Sequence, residues 1–275
     1  MAATAGRFAQ YLAAAARNPV LLTGRKQYLF VLSHMRCHTS LLSHLLGSHP
    51  EIDGHSEMHQ GYSSSLDLLK LRCKVSMDNA HSLKGRYVLD KVLFDYGLSP
   101  RILTARETNV IFVLRNPEST LKSIIAMARE YGGVDWHHDP HKVLEYYVAR
   151  LSQLEEFAIL RARAGAPTAF YFDSELLIDR TEVVLRELTH WLGLTSELSP
   201  RYRLFETTGR SGWGDPSEAI RSGRILKSTV RRMEVDLDGH LLEQAKPVFD
   251  RCRNTFLALC QSPPLEDRSS RLSSA

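Results

Sequence analysis

The residues best suited to chemistry form a polar knot, His34-Met35-Arg36-Cys37-His38-Thr39-Ser40. It lies between an apolar, β-prone run (QYLFVLS) and a helical run (LLSHLLGS). Backbone N–H groups at a helix N-terminus point at whatever sits there, and the helix dipole favours an anion. Arg36 adds a permanent charge with a planar fork of donors, and Thr39 and Ser40 add hydroxyls in the first helical turn. This set suits a phosphate. The kinase and ATPase pattern GxxxxGK[ST] is absent, because the knot has neither a glycine pair nor a lysine. A phosphatase loop fails too, since the sixth residue after Cys37 is Ser43 and not Arg. Cys37 invites a nucleophile reading in which cationic neighbours lower its thiol pKa.

Charge is distributed unevenly. The formal net charge is only +4, yet Arg7, Arg17, Arg25, Lys26 and Arg36 all precede the first acid, Glu51. A second run, Arg221, Arg224, Lys227, Arg231 and Arg232, has no acid between its ends. Two distant basic segments suit an anionic ligand gripped from two sides, or else a pair of solvated basic faces. Stacking motifs for nucleic acid are lacking, so a nucleic-acid partner is not expected.

The knot resembles the 5′-phosphosulfate loop of sulfotransferases that use 3′-phosphoadenosine-5′-phosphosulfate, in particular the bacterial and tyrosylprotein types. Their pattern, close to S/G-x-P-R-S-G-T/S-T/S-L, is followed by a helix and "HPEI"; this chain reads SHMRCHTSLLSHLLGSHPEI. The resemblance places Arg36, Thr39 and Ser40 on the 5′-phosphate and sulfate, with Cys37 and His38 standing where the family has Ser and Gly. A second signature, RNPxxxxxS, binds the 3′-phosphate in that family, and VIFVLRNPESTLKS supplies Arg115 and Ser123 at the same spacing. FYFDSELLIDRTEVVLRELTHWLGL is similar to a later family segment, and GDPSEAIRSGRI resembles the loop that closes over the 3′-phosphate, offering Arg221, Ser222 and Gly223. The four stretches occur in family order.

What the resemblance implies is a sulfotransferase that moves a sulfuryl group to a hydroxyl or amine of a small molecule or glycan. No metal is required. The acceptor's proton needs a base within hydrogen-bond reach. The segment Gly54-His55-Ser56-Glu57-Met58-His59 offers three, and the resemblance selects Glu57, with His55 and His59 next. Lys91, in LDKVLFD, resembles a lysine that helps hold the sulfate or leaving oxygen, although the proline of that family segment is missing. The alternatives are a P-loop nucleotide kinase-like enzyme and a catalytically inactive nucleotide-binding module.

Several elements must position these groups. Strands are expected over 27–33, 51–57, 86–93, 109–114 and 168–172, and helices over 66–73, 117–130, 140–164, 181–192 and 239–260, with a short Ala-rich helix over 5–17. Asn-Pro before residue 118 and Asp139-Pro140 read as helix starts, the second within the His-rich WHHDPH. Tyr131, Trp136 and Trp213 could stack on an acceptor or pack in the core. Alternating strands and helices imply an α/β, P-loop-type three-layer fold, with a mostly parallel sheet flanked by helices. One domain over 1–260 and a disordered tail over 261–275 are expected. The chain has 275 residues, 43% hydrophobic and 24% charged, so it can bury a sizeable core. No stretch reaches the roughly 20 apolar residues of a membrane-spanning helix. Four cysteines without zinc or paired spacing, and no secretory leader, point to a reducing, cytoplasmic setting.

Overall fold

The computed structural model describes residue 21 and residues 24–78, 83–210, 215, 217–226 and 235–264. The expected helix over 5–17 and the residues Trp213, Lys227, Arg231 and Arg232 lie outside these, as does the tail beyond residue 264.

Five strands form one parallel sheet: β1 (Gln27–Ser33), β2 (Ile52–Asp53), β3 (Tyr87–Val92), β4 (Thr108–Leu114) and β5 (Phe170–Asp173), in the order β2-β3-β1-β4-β5. In β1 the side chains alternate between two cores, as the two-residue period of a strand requires. Tyr28, Phe30 and Leu32 pack with α2 (Ser65–Asp78), α4 (Pro117–Tyr131), α5 (Pro140–Arg163) and α8 (Gly239–Leu259). Leu29 and Val31 pack with α1 (Thr39–Gly47) and α7 (Thr181–Leu192) on the other face. Helices therefore cover both faces, and continuous apolar strands such as β1 and β4 are what such a sheet needs. Two short α-helices, α3 (Pro100–Leu103) and α6 (Leu176–Asp179), also lie among the described residues.

The chain leaves β1 toward β2 on one side of the sheet and leaves β4 toward β5 on the other. The connections thus diverge between the adjacent strands β1 and β4, and ligands of open α/β sheets bind outside the carboxyl ends of strands at such a point. Local signals set both starts there. The Asn116 side chain accepts from Ser119 N at 2.9 Å and Pro117 opens α4. Asp139 likewise accepts from His141 N at 2.9 Å before α5, so WHHDPH serves as a helix start.

Two expectations need correction. The second strand is far shorter than 51–57 because Gly54 turns the chain at φ +108, where a Cβ would meet Leu89 O at 2.5 Å. The helix expected over 66–73 continues to Asp78. Near the end of the described residues, Gln261 lies against β5: its carbonyl accepts from Tyr171 N at 2.8 Å and its N–H donates to Ala169 O at 2.9 Å. Among the described residues no helix is long and apolar enough to cross a membrane.

Candidate active site

The loop between β1 and α1 turns through two non-glycine residues in the left-handed region, Arg36 (φ 60) and His38 (φ 52). Such residues cost of order 1–2 kcal/mol each and persist only where the surroundings over-determine them. Here the Met35 N–H donates to Tyr146 Oη at 2.9 Å, and that hydroxyl donates to Leu93 O at 3.0 Å. His38 occupies the N-cap of α1 without a side-chain cap bond, so no side chain competes for the N–H groups of the first turn.

Ser40, in that turn, joins three elements. Its hydroxyl oxygen receives Lys91 Nζ at 3.2 Å and Asp215 N at 3.1 Å, and its carbonyl accepts from His44 Nδ1 at 2.7 Å. Lys91 is 1% exposed although it is charged, lying on β3 opposite Val31 of β1. Burial lowers its pKa, opposed by the carboxylates of Glu57, Asp90 and Asp215. A buried ammonium is costly unless paired, and these carboxylates offset part of that cost.

Arg36 and Ser123 meet: Arg36 Nε donates to Ser123 Oγ at 2.9 Å. The serine of the second signature therefore bonds the arginine of the first. Arg115, one residue beyond β4, donates from Nη1 to Arg36 O at 2.9 Å, and its Nε lies 3.7 Å from Glu175 Oε1. That Nε is buried with no hydrogen-bond partner, as is His38 Nδ1. Asp215, unforeseen from the sequence, places its carboxylate 3.7 Å from Arg36. Glu175 beside Arg115 was also unforeseen, though it lies within the third matching stretch.

Cys37 turns inward. Its side chain is 1% exposed and packs in the core with Leu42 and Val31, and burial pushes its thiol up to about 12. It is no thiolate, and only its backbone can face a ligand. Thr39 is 3% exposed in the first turn of α1. In the late loop, Arg221 is exposed, donating to Gly209 O at 3.0 Å and pairing with Glu218 at 3.6 Å. Ser222 Oγ bonds the carbonyls of Ala219 and Arg224, and Gly223 (φ 67) accepts from Tyr202 N at 2.9 Å. These bonds stay within the late loop and the 202–210 segment; Asp215 is what reaches the anion loop.

The turn at Gly54 carries Glu57 toward Lys91. Glu57 is 6% exposed, and its Oε1 has no hydrogen-bond partner, with His59 Nδ1 at 3.5 Å. His59 also meets Tyr96 Oη at 3.0 Å and is half exposed at its side chain. Beneath them Asp90, buried on β3, accepts from Met58 N at 2.9 Å, from Lys91 N at 2.8 Å and from the Tyr62 hydroxyl. Burial raises its pKa to about 6. His55 is engaged elsewhere. Its ring stacks on Phe205 at 3.6 Å, Nε2 meets Thr207 Oγ1 at 2.9 Å, and burial pushes its pKa down to about 3. Its Nδ1 is buried without a hydrogen-bond partner, and the burial makes this imidazole a weaker base than a free one. Trp136 packs on Tyr146 with centroids 5.1 Å apart, and Tyr131 is exposed.

No protein-family model matches the chain, and no curated protein matches it in sequence. Solved structures do. A sulfotransferase domain from the curacin biosynthetic pathway superposes with a TM-score of 0.58 at 16% identity, covering 83% of this chain and 98% of that one. The sulfotransferase domain of the Synechococcus PCC 7002 olefin synthase gives 0.52 at 16% identity, covering 82% and 95%. At this identity the likeness is one of architecture: the parallel sheet, its strand-end crevice and its flanking helices are those of the sulfotransferase fold.

Proposed function

We propose that this protein is a sulfotransferase that moves a sulfuryl group from 3′-phosphoadenosine-5′-phosphosulfate to a hydroxyl or amine of a small molecule or glycan. The observation that carries the reading is the convergence of Arg36, Ser40, Lys91, Arg115 and Ser123 from three neighbouring strands on one strand-end crevice. The sulfotransferase fold supports it. The nucleotide fits the residues present: the cradle is cationic, and Arg115 Nε and His38 Nδ1 are buried polar atoms in want of partners.

The donor supplies an activated sulfur, whose bond to the phosphate oxygen breaks as its bond to the acceptor oxygen or nitrogen forms, while the acceptor's proton passes to Glu57. Arg36, Lys91, Ser40 and the N-terminus of α1 hold the 5′-phosphate and sulfate and stabilise the charge left on the phosphate. Cys37, His38 and Thr39 contribute backbone N–H groups to the same loop. Arg115 grips the 3′-phosphate, Ser123 holds Arg36 in place, and Arg221, Ser222 and Gly223 close over the 3′-phosphate. Supporting Glu57 as the base, its Oε1 has no hydrogen-bond partner, and His59 Nδ1 lies 3.5 Å away as its neighbour. A nucleotide kinase would instead need a loop lysine, which the knot lacks.

The test is ligand-induced stabilisation. A ligand at about a hundredfold its Kd adds about 2.7 kcal/mol, which for a chain of this size raises Tm by roughly 5 °C or more. 3′,5′-Bisphosphoadenosine is expected to do so, with ATP and magnesium well behind. ATP stabilising the protein while the bisphosphate does not would reject the reading. Bisphosphate binding without transfer of labelled sulfate to any acceptor would favour the inactive module.

A further inference from the structure

His34 follows the last residue of β1 and is fully buried. The backbone N–H of Arg115 reaches its Nε2 at 3.1 Å. A backbone N–H can only donate, so Nε2 accepts. The remaining ring nitrogen, Nδ1, lies 2.9 Å from Met35 O, which can only accept. The ring is therefore neutral, with its one proton on Nδ1. One imidazole thus ties the loop after β1 to the loop after β4. Tyr147 completes the brace: its ring meets His34 edge-on at 5.0 Å and its hydroxyl donates to Arg115 O at 2.8 Å. The backbone of Arg115 is held at both its N–H and its C=O, while its side chain reaches Arg36 O.

We propose that His34 is a positioning residue that sets Arg115 against the anion loop, so that affinity for the 3′-phosphate of the nucleotide depends on a side chain that touches neither phosphate. This rests on the functional reading above. Without an acceptor at the Nε2 position the Arg115 N–H is left buried and unpaired, and the guanidinium loses its registry with Arg36. The 5′-phosphate, gripped by Arg36, Ser40 and Lys91, is affected far less.

His34→Asn and His34→Gln separate the two ring positions while keeping the site polar. Asparagine reaches only the Nδ1 position; glutamine reaches as far as Nε2 and can accept from Arg115. Titration with 3′,5′-bisphosphoadenosine is expected to show a loss of roughly tenfold to a hundredfold in His34→Asn and under about threefold in His34→Gln, since one hydrogen bond to a buried donor is at stake. Adenosine 5′-phosphate should change under about threefold in both. Equal losses in the two variants, or equal losses for the two nucleotides, would overturn the proposal. If the unaltered protein shows no preference for the bisphosphate, the functional reading fails instead. Hydrogen exchange at the Arg115 amide then decides: at least tenfold faster exchange in His34→Asn than in His34→Gln upholds the brace, and equal exchange refutes it.

Discussion

Glu57→Gln isolates the proton transfer because the change keeps the side chain's shape. Two features of the structure set its effect. Glu57 Oε1 makes no hydrogen bond, so an amide there breaks none. Removing the charge also relieves Asp90, whose pKa burial and, less, the Glu57 carboxylate hold up near 6. The variant should therefore fold with stability within about 1 kcal/mol of the parent. Lys91 keeps Asp90 and Asp215 as anionic neighbours, so the anion loop stays intact and the Kd for 3′,5′-bisphosphoadenosine should move under about threefold. Loss of a general base costs about a hundredfold to ten-thousandfold in rate, or about 3 to 5 kcal/mol of barrier. The assay is transfer of labelled sulfate at saturating donor, run beside calorimetric titration of the bisphosphate. A kcat within tenfold of the parent would refute the role of Glu57 and move the base to His59. A parallel collapse of nucleotide binding would show that Glu57 holds the loop rather than the proton.

Arg115→Ala should weaken 3′,5′-bisphosphoadenosine by roughly a hundredfold, the value of one or two charge-assisted hydrogen bonds, and adenosine 5′-phosphate by much less; equal losses on titration would reject the 3′-phosphate role. Stability should fall on acidification. Burial pushes His34 and His55 down to about 3 and His38 and His44 to about 4, so each is neutral in the fold, and its contribution is complete above the unfolded value near 6.5 and lost as pH falls through that window. Asp90, raised to about 6, acts in the opposite sense, its share being present below about 4 and lost as pH rises through 6, and burial raises Asp53 and Asp78 likewise; the four histidines, joined by His137, Glu51 and Asp67, whose values are lowered, outweigh these three. Tm measured from pH 7 to pH 4 should decline steadily, and a level or rising Tm would show that the histidines are not buried neutral.

The parts of the site that were legible in sequence are those with local signals. An unbroken apolar run, a basic polar knot and a helix start identify the β1 loop, and a β-rich run closed by Arg-Asn-Pro identifies the β4 loop, because a cap and a proline at the first helical position act within a single turn. Glu57 was selected by the resemblance, yet what turns it inward is Gly54, whose carbonyl neighbour on β3 leaves no room for a side chain. Ser123 was placed with Arg115 by spacing and is found on Arg36, since the direction of α4 is set by its packing under α5 and α8. Lys91 was singled out by resemblance alone; its burial, and that of Asp90 beside it on β3, follows from the packing of the sheet and has no local signal.

By itself the sequence determined the class of fold and the order of its elements, because these depend on residue type and short-range periodicity. Tertiary structure alone decided that the loops after β1 and β4 lie side by side, that His34, Tyr146 and Tyr147 brace them, that Asp215 and Glu175 face the arginines, and that Cys37 turns its thiol into the core. Strand order and burial bring together residues far apart in the chain, and no local propensity encodes which of them will meet.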